Sequence, residues 1–169
     1  MRGLFIFAFF FVSSVSFSQK TPISLGVAGG YNFQTQGLGY DIRATKPLSE
    51  QIRATLRYSG FPSFNIIKEK YLGLDLEYIF HEGLKIDYYG FLGMNYDNWQ
   101  NASDFKSNIA KKNNFVLEGG IGAEIKYQRF RPFAEWRYDT KWKEGTLFVG
   151  LKFGLNAFAK KDKYRCGHF

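Results

Sequence analysis

The chain is short of several things that catalytic and secreted proteins commonly use. It has one cysteine, Cys166, so no disulfide framework can form within it. Its two histidines, His81 and His168, lie far apart, and neither makes a His-x-Ser pair from which a nucleophile could be activated. After the N-terminal segment no apolar run is long enough for a transmembrane helix, because glycine or charge interrupts each one. Metal-ligand clusters, glycine-rich phosphate loops and loop-borne carboxylate pairs are missing as well. Cys166 and His168 together supply too few ligands for a structural zinc site. The reading is therefore not an enzyme, with no cofactor, no catalytic or metal residues and no nucleic-acid partner.

What the chain does have begins with an export signal. Arg2, the apolar run Leu4 to Val12 and the small residues Ser16 and Ser18 make residues 1–18 a secretory signal peptide, cut before Gln19. The run is about half of the ~20 residues a spanning helix needs. Residues 19–158 then form one domain, and residues 159–169 form a basic tail.

From Ile23 to Leu155 one pattern recurs eight times: a stretch of about ten residues with an oily, often aromatic face and a face of Gly, Ser, Thr or charge. Leu72, Leu74, Leu76 and Tyr78 alternate with Gly73, Asp75 and Glu77. Phe115, Leu117, Ile121 and Ala123 alternate with Val116, Glu118, Gly120, Gly122 and Glu124. Pro132 is the awkward residue, where a bulge or a missing ladder bond is expected.

Strand charges gather on the second face and balance. Arg43, Arg53, Arg57, Lys85, Lys126, Arg131, Arg137 and Lys152 stand against Asp41, Asp75, Glu77, Asp87, Glu118, Glu124, Glu135 and Asp139. Tight-turn register suggests pairing Glu77 with Lys85, Glu124 with Arg131, and Asp41 with Arg53 or Arg57. Excess positive charge falls in loops and tail, where lysines attract phosphate-rich surfaces such as lipid headgroups and lipopolysaccharide.

Such faces suit a closed barrel in lipid, where the exterior must be apolar and charges persist inside if they neutralise one another. The connections around Pro47–Ser49, His81–Gly83 and Gln128–Arg129 are tight, while Gly60 to Lys70, Asp97 to Asn114 and Thr140 to Gly145 are longer. That alternation predicts short periplasmic turns, long outer loops, and both termini in the periplasm. Tyr31, Phe33, Tyr40, Tyr58, Tyr96, Phe115, Trp136 and Tyr138 fall at loop-side strand ends. Tyr78, Phe80, Tyr127, Phe130 and Phe153 fall at turn-side ends. Two belts of this kind suit membrane–water boundaries. A soluble barrel of lipocalin type, apolar inside, would need neither the belts nor so many glycines on its charged face.

In these features Ile23 to Leu155 resembles the small eight-stranded outer-membrane barrels, of the type of outer-membrane protein X and the membrane domain of outer-membrane protein A. Gly150-Leu151-Lys152-Phe153-Gly154-Leu155 is similar to the family's Gly-x-x-hydrophobic-x-hydrophobic assembly signal, with Phe148 in place of its usual polar residue and a tail beyond its usual end. The resemblance implies an all-β, eight-stranded antiparallel up-and-down transmembrane barrel, integral to the outer membrane and inserted by the barrel-assembly machinery. The expected role is non-catalytic, structural or surface-interacting, with the charges as a luminal plug. A small-solute or ion pore, and a subunit of an envelope assembly or secretion complex using its periplasmic tail, are the alternatives. For binding, the loop Asp97 to Asn114 stands out, with Trp99, Phe105, Lys111 and Lys112 as contact candidates.

Overall fold

The computed structural model describes residues 23–62, 68–100, 113–127 and 130–155. The expected signal peptide and basic tail, like Phe105, Lys111 and Lys112, lie outside the described residues. Eight antiparallel strands follow one another in chain order: β1 (Ser24–Asn32), β2 (Gly37–Pro47), β3 (Ile52–Phe61), β4 (Lys68–Glu82), β5 (Ile86–Gln100), β6 (Asn113–Ile125), β7 (Phe130–Asp139) and β8 (Glu144–Gly154). Each pairs with its neighbours in sequence, and β8 returns to β1 in a continuous register from Ser24↔Gly154 to Asn32↔Thr146. Closure gives each strand a neighbour on both sides, so none is left at an edge.

Period-two alternation fixes which face is which. Leu74, Leu92, Leu117 and Ile121 all point outward, with exposures of 58%, 75%, 63% and 60%. Asp75, Glu77, Glu124 and Lys152, one residue away in sequence parity, are buried inside. The expected loop-side aromatics, from Tyr31 to Tyr138, are all exposed on the outer face, as are Tyr78, Phe80, Tyr127 and Phe130 at the other end.

Inward glycines make the lumen wide enough for its contents. A Cβ at Gly122 would overlap the Tyr89 ring, and one at Gly93 would overlap the Asp75 carboxylate. Pro132 causes no register shift against β8; instead the β6–β7 ladder ends at Glu124↔Phe133, so its missing N–H falls where pairing has stopped.

The strand ends differ from the expected boundaries in two ways. Strands β4 and β5 run on into the expected long loops, from Lys68 and to Gln100. The seventh connection contracts to residues 140–143, as tight as the turns at the other end. Its shape matches the β1–β2 turn. Asn32 Oδ1 accepts the N–H groups of Gln34 and Thr35 at 2.9 and 3.1 Å, and Asp139 Oδ1 accepts those of Lys141 and Trp142 at 2.7 and 2.8 Å. Each turn then closes through a left-handed residue, Gln36 at φ 54° and Lys143 at φ 57°.

Candidate functional site

The lumen is the chemical centre of the molecule, and its charges form two connected clusters. In the first, Arg43, Arg57 and Arg137 interleave with Asp41, Asp75, Glu118 and Glu135. Arg43 reaches Asp41 at 2.6 Å and Glu135 at 2.5 Å; Arg137 reaches Asp75 at 2.7 Å, Glu135 at 2.9 Å and Glu118 at 3.3 Å. Arg57 holds Glu118 at 2.6 Å, Asp75 at 3.2 Å and Asp41 at 3.5 Å. The intervening carboxylates let Arg43 and Arg57 sit directly opposite each other in the β2–β3 register.

The second cluster lies toward the short-turn end. Glu77 and Glu124 share Arg53, at 2.9 and 3.2 Å, and Lys152, at 3.7 and 3.0 Å, while Arg131 adds a contact of 3.0 Å to Glu124 from the rim. Together the clusters set six carboxylates against five buried cations and Arg131 at the rim, so the network as a whole is neutral. Neutrality is what lets such a column of charge persist away from water.

Tyr89 joins the clusters. Its hydroxyl donates to Glu135 of the first at 2.7 Å, and its ring lies beneath Arg53 and Lys152 of the second at 4.8 and 5.0 Å. Phe133 and Phe91 cover the guanidinium faces of Arg43 and Arg137 at 4.3 and 4.0 Å. Planar cations are thus paired through their edges and stacked through their faces. Thr45, Thr55, Ser59 and Asn95 complete the network, with Thr55 Oγ1 donating to Glu77 at 2.5 Å and Ser59 to Asp41 at 2.8 Å. These neutral partners were not singled out from sequence; their inward parity beside charged residues was the available signal.

Several expectations need correction. Lys85 is not luminal: it sits exposed in the turn before β5, so Glu77 finds Arg53 and Lys152 instead. Lys126 lies just past β6 and bridges Glu82 at 2.8 Å and Asp87 at 2.9 Å at the rim, with its proton held above the usual lysine value by the hydrogen bond to Glu82. Arg131 does meet Glu124, but its side chain is half-exposed. Asp41 does meet Arg57, one of its two expected partners, and its other cation is Arg43 rather than Arg53. Asp139 has no cation partner among the described residues. Trp99 is no exposed loop residue: it is buried on the inward face of β5 and packs on Trp142, ring centroids 4.6 Å apart.

No family model matches the chain, and no curated protein matches its sequence. Solved structures do match. The N-terminal β-barrel domain of Pseudomonas aeruginosa OprF aligns with TM-score 0.63 and 16% identity over 79% of this chain and 96% of that one. A de novo designed transmembrane β-barrel aligns with TM-score 0.61 and 13% identity over 80% and 97%. The fold is that of the eight-stranded membrane barrels. The outer membrane enzyme PagL shares it, with TM-score 0.51 and 13% identity over 77% of this chain and 97% of its own. One architecture therefore serves both enzymes and other proteins, and role must be argued from the lumen and the rims.

Proposed function

We propose that this protein is an integral outer-membrane barrel whose lumen is closed by its own charge network, with a non-catalytic role in membrane integrity or surface interaction. The observation that carries the reading is the pairing of a neutral, buried column of charge with an apolar outer band bounded by aromatics. A barrel of eight strands is just wide enough for side chains to fill it. Here five buried cations, six carboxylates and the rings of Tyr89, Phe91 and Phe133 do so.

The chemistry near the rims supports the same reading. His81 is exposed at the short-turn end beside the Tyr88 ring. Lys68 and Lys143 are exposed at the long-loop end, where cations suit the phosphates of lipopolysaccharide. Insertion by the barrel-assembly machinery, periplasmic termini and a periplasmic partner for the tail belong to the same proposal.

Conductance decides between plug and pore. The full chain in planar bilayers is expected to give no stable openings at physiological salt. Large, long-lived openings would replace the plug with a small-solute or ion channel.

A further inference from the structure

The long-loop mouth of the barrel contradicts the neutrality found below it. Glu69 and Tyr71 on β4, Asp97 and Trp99 on β5, Asp139 at the end of β7 and Glu144 at the start of β8 ring the opening. Among the described residues, none of these four carboxylates makes an ion pair. Their other contacts are few. Glu69 accepts the Tyr71 hydroxyl, Glu144 accepts Asn32 Nδ2 at 2.8 Å, and Asp139 caps its own turn. Asp97 Oδ2 meets Trp142 Nε1 at 3.4 Å.

Two features point beyond a solvated acidic rim. Asp97 is fully buried, yet its Oδ1, an acceptor, has no donor. An acceptor buried unsatisfied is costly unless a donor completes it. The register also sets like charges directly opposite, with Asp139 facing Glu118 on one side and Glu144 on the other. That arrangement is unfavourable unless a cation lies between.

The surroundings say what kind of cation fits. Asp97 lies within electrostatic reach of Asp139 and Glu69, and Glu69 of Glu144. No three of them come together as a metal-ligating group among the described residues. Spread carboxylates suit a ligand with spread positive charge. Between them stand apolar rings: Trp99 on Trp142, and Phe61 against Tyr71 and Phe148 at 5.9 and 6.2 Å. A cavity of about 30 Å³ is lined by Asp139 and Glu144 of the four, with Asn32, Glu118, Arg57 and Arg137. That is room for one water-sized group. The chain's own Lys141 shows how an ammonium is held there, donating to Asn114 Oδ1 at 2.6 Å and lying 4.7 Å from the Trp142 ring centroid.

We propose that this mouth binds an organic polycation of the polyamine class, its ammonium groups on Glu69, Asp97, Asp139 and Glu144 and its methylene stem against the Trp99–Trp142 pair. The site does not depend on whether the lumen below conducts. Current recordings therefore test the plug, and binding to the solubilised barrel tests the mouth.

The test is titration of the folded full chain in detergent with spermidine, read by calorimetry and tryptophan emission, with Mg²⁺ as the compact-cation control. Saturable spermidine binding is expected. Asp97→Asn and Glu69→Gln should each weaken it about tenfold, the loss of one charge-assisted contact. Glu82→Gln, at the opposite rim, should leave it unchanged. Urea midpoints of the variants establish that each barrel is folded, and Trp142→Phe should abolish most of the emission change. The proposal is overturned by absence of saturable binding, by equal affinity in the Asp97 and Glu69 variants, or by Mg²⁺ binding as tightly as spermidine.

Discussion

Removing Glu124 tests the plug most directly, because three cations converge on it. Lys152 and Arg53 lie at 3.0 and 3.2 Å with side chains 1% and 6% exposed, whereas Arg131, at 3.0 Å, is 51% exposed. In Glu124→Ala the second cluster keeps three cations and one carboxylate. Glu77 still holds Arg53 at 2.9 Å but reaches Lys152 only at 3.7 Å. Arg131 can turn to solvent, so losing its contact costs about 0–1 kcal/mol. Lys152 cannot, and breaking a buried pair while leaving its partner charged costs ~3–5 kcal/mol. The whole variant should therefore lose roughly 3–5 kcal/mol.

Urea unfolding of the barrel reconstituted in lipid vesicles, followed by tryptophan emission and by heat-dependent gel migration, measures this. The matched control is Glu82→Ala. Glu82 is 68% exposed, and Lys126 keeps Asp87 at 2.9 Å without it. That loss should be about 0–1 kcal/mol. If Glu124→Ala unfolds within about 1 kcal/mol of the parent, as the rim control does, Glu124 is hydrated and the lumen is not a sealed column.

Other substitutions address separate parts of the argument by the same unfolding assay. Leu74→Arg places charge on the oily face near mid-membrane and should cost roughly 2–4 kcal/mol; no loss would mean Leu74 does not meet lipid. Gly122→Leu drives a side chain into the Tyr89 ring and should cost ~1–3 kcal/mol by overpacking, with unchanged stability showing a looser lumen. Tyr89→Phe keeps the ring under Arg53 and Lys152 but removes the donor to Glu135, for an expected loss of ~1–3 kcal/mol. Lys143→Gly relieves a left-handed residue at φ 57° and should stabilise by about 1 kcal/mol; destabilisation would show the lysine side chain matters more than its backbone.

The architecture was legible because lipid imposes a severe rule on the sequence. Where the outer face must be apolar, as from Leu72 to Tyr78, a strict period of two cannot be hidden, and inward residues follow by parity. The rule lapses past the membrane boundary. Around Tyr96-Asp97-Asn98-Trp99 both faces are polar or mixed, so the end of β5 read as loop and Trp99 as exposed, although parity alone places it inward beside Asp97. Lys85 failed for a related reason. It has inward parity, but Gly83 to Lys85 form the turn, and the ladder slips between Ile79 and His81.

Partner choice in the lumen was legible only in part, for a geometric reason. A tight turn identifies neighbours within one hairpin, so Arg131 of β7 could be assigned to Glu124 across the β6–β7 connection. It does not identify which strands face each other across a closed interior. Arg43 of β2 meets Glu135 of β7, and Arg53 of β3 meets Glu124 of β6, contacts that exist only once β8 has joined β1. These cross-lumen pairs are also the ones with the least solvent to share. The bonds that hold the interior are therefore conditional on closure, and closure is rewarded by the neutralisation it brings about. A barrel built this way should unfold as one unit: opening the β1–β8 seam separates Lys152 from Glu77 and Arg43 from Glu135, and no strand can leave without stranding buried charge on the rest.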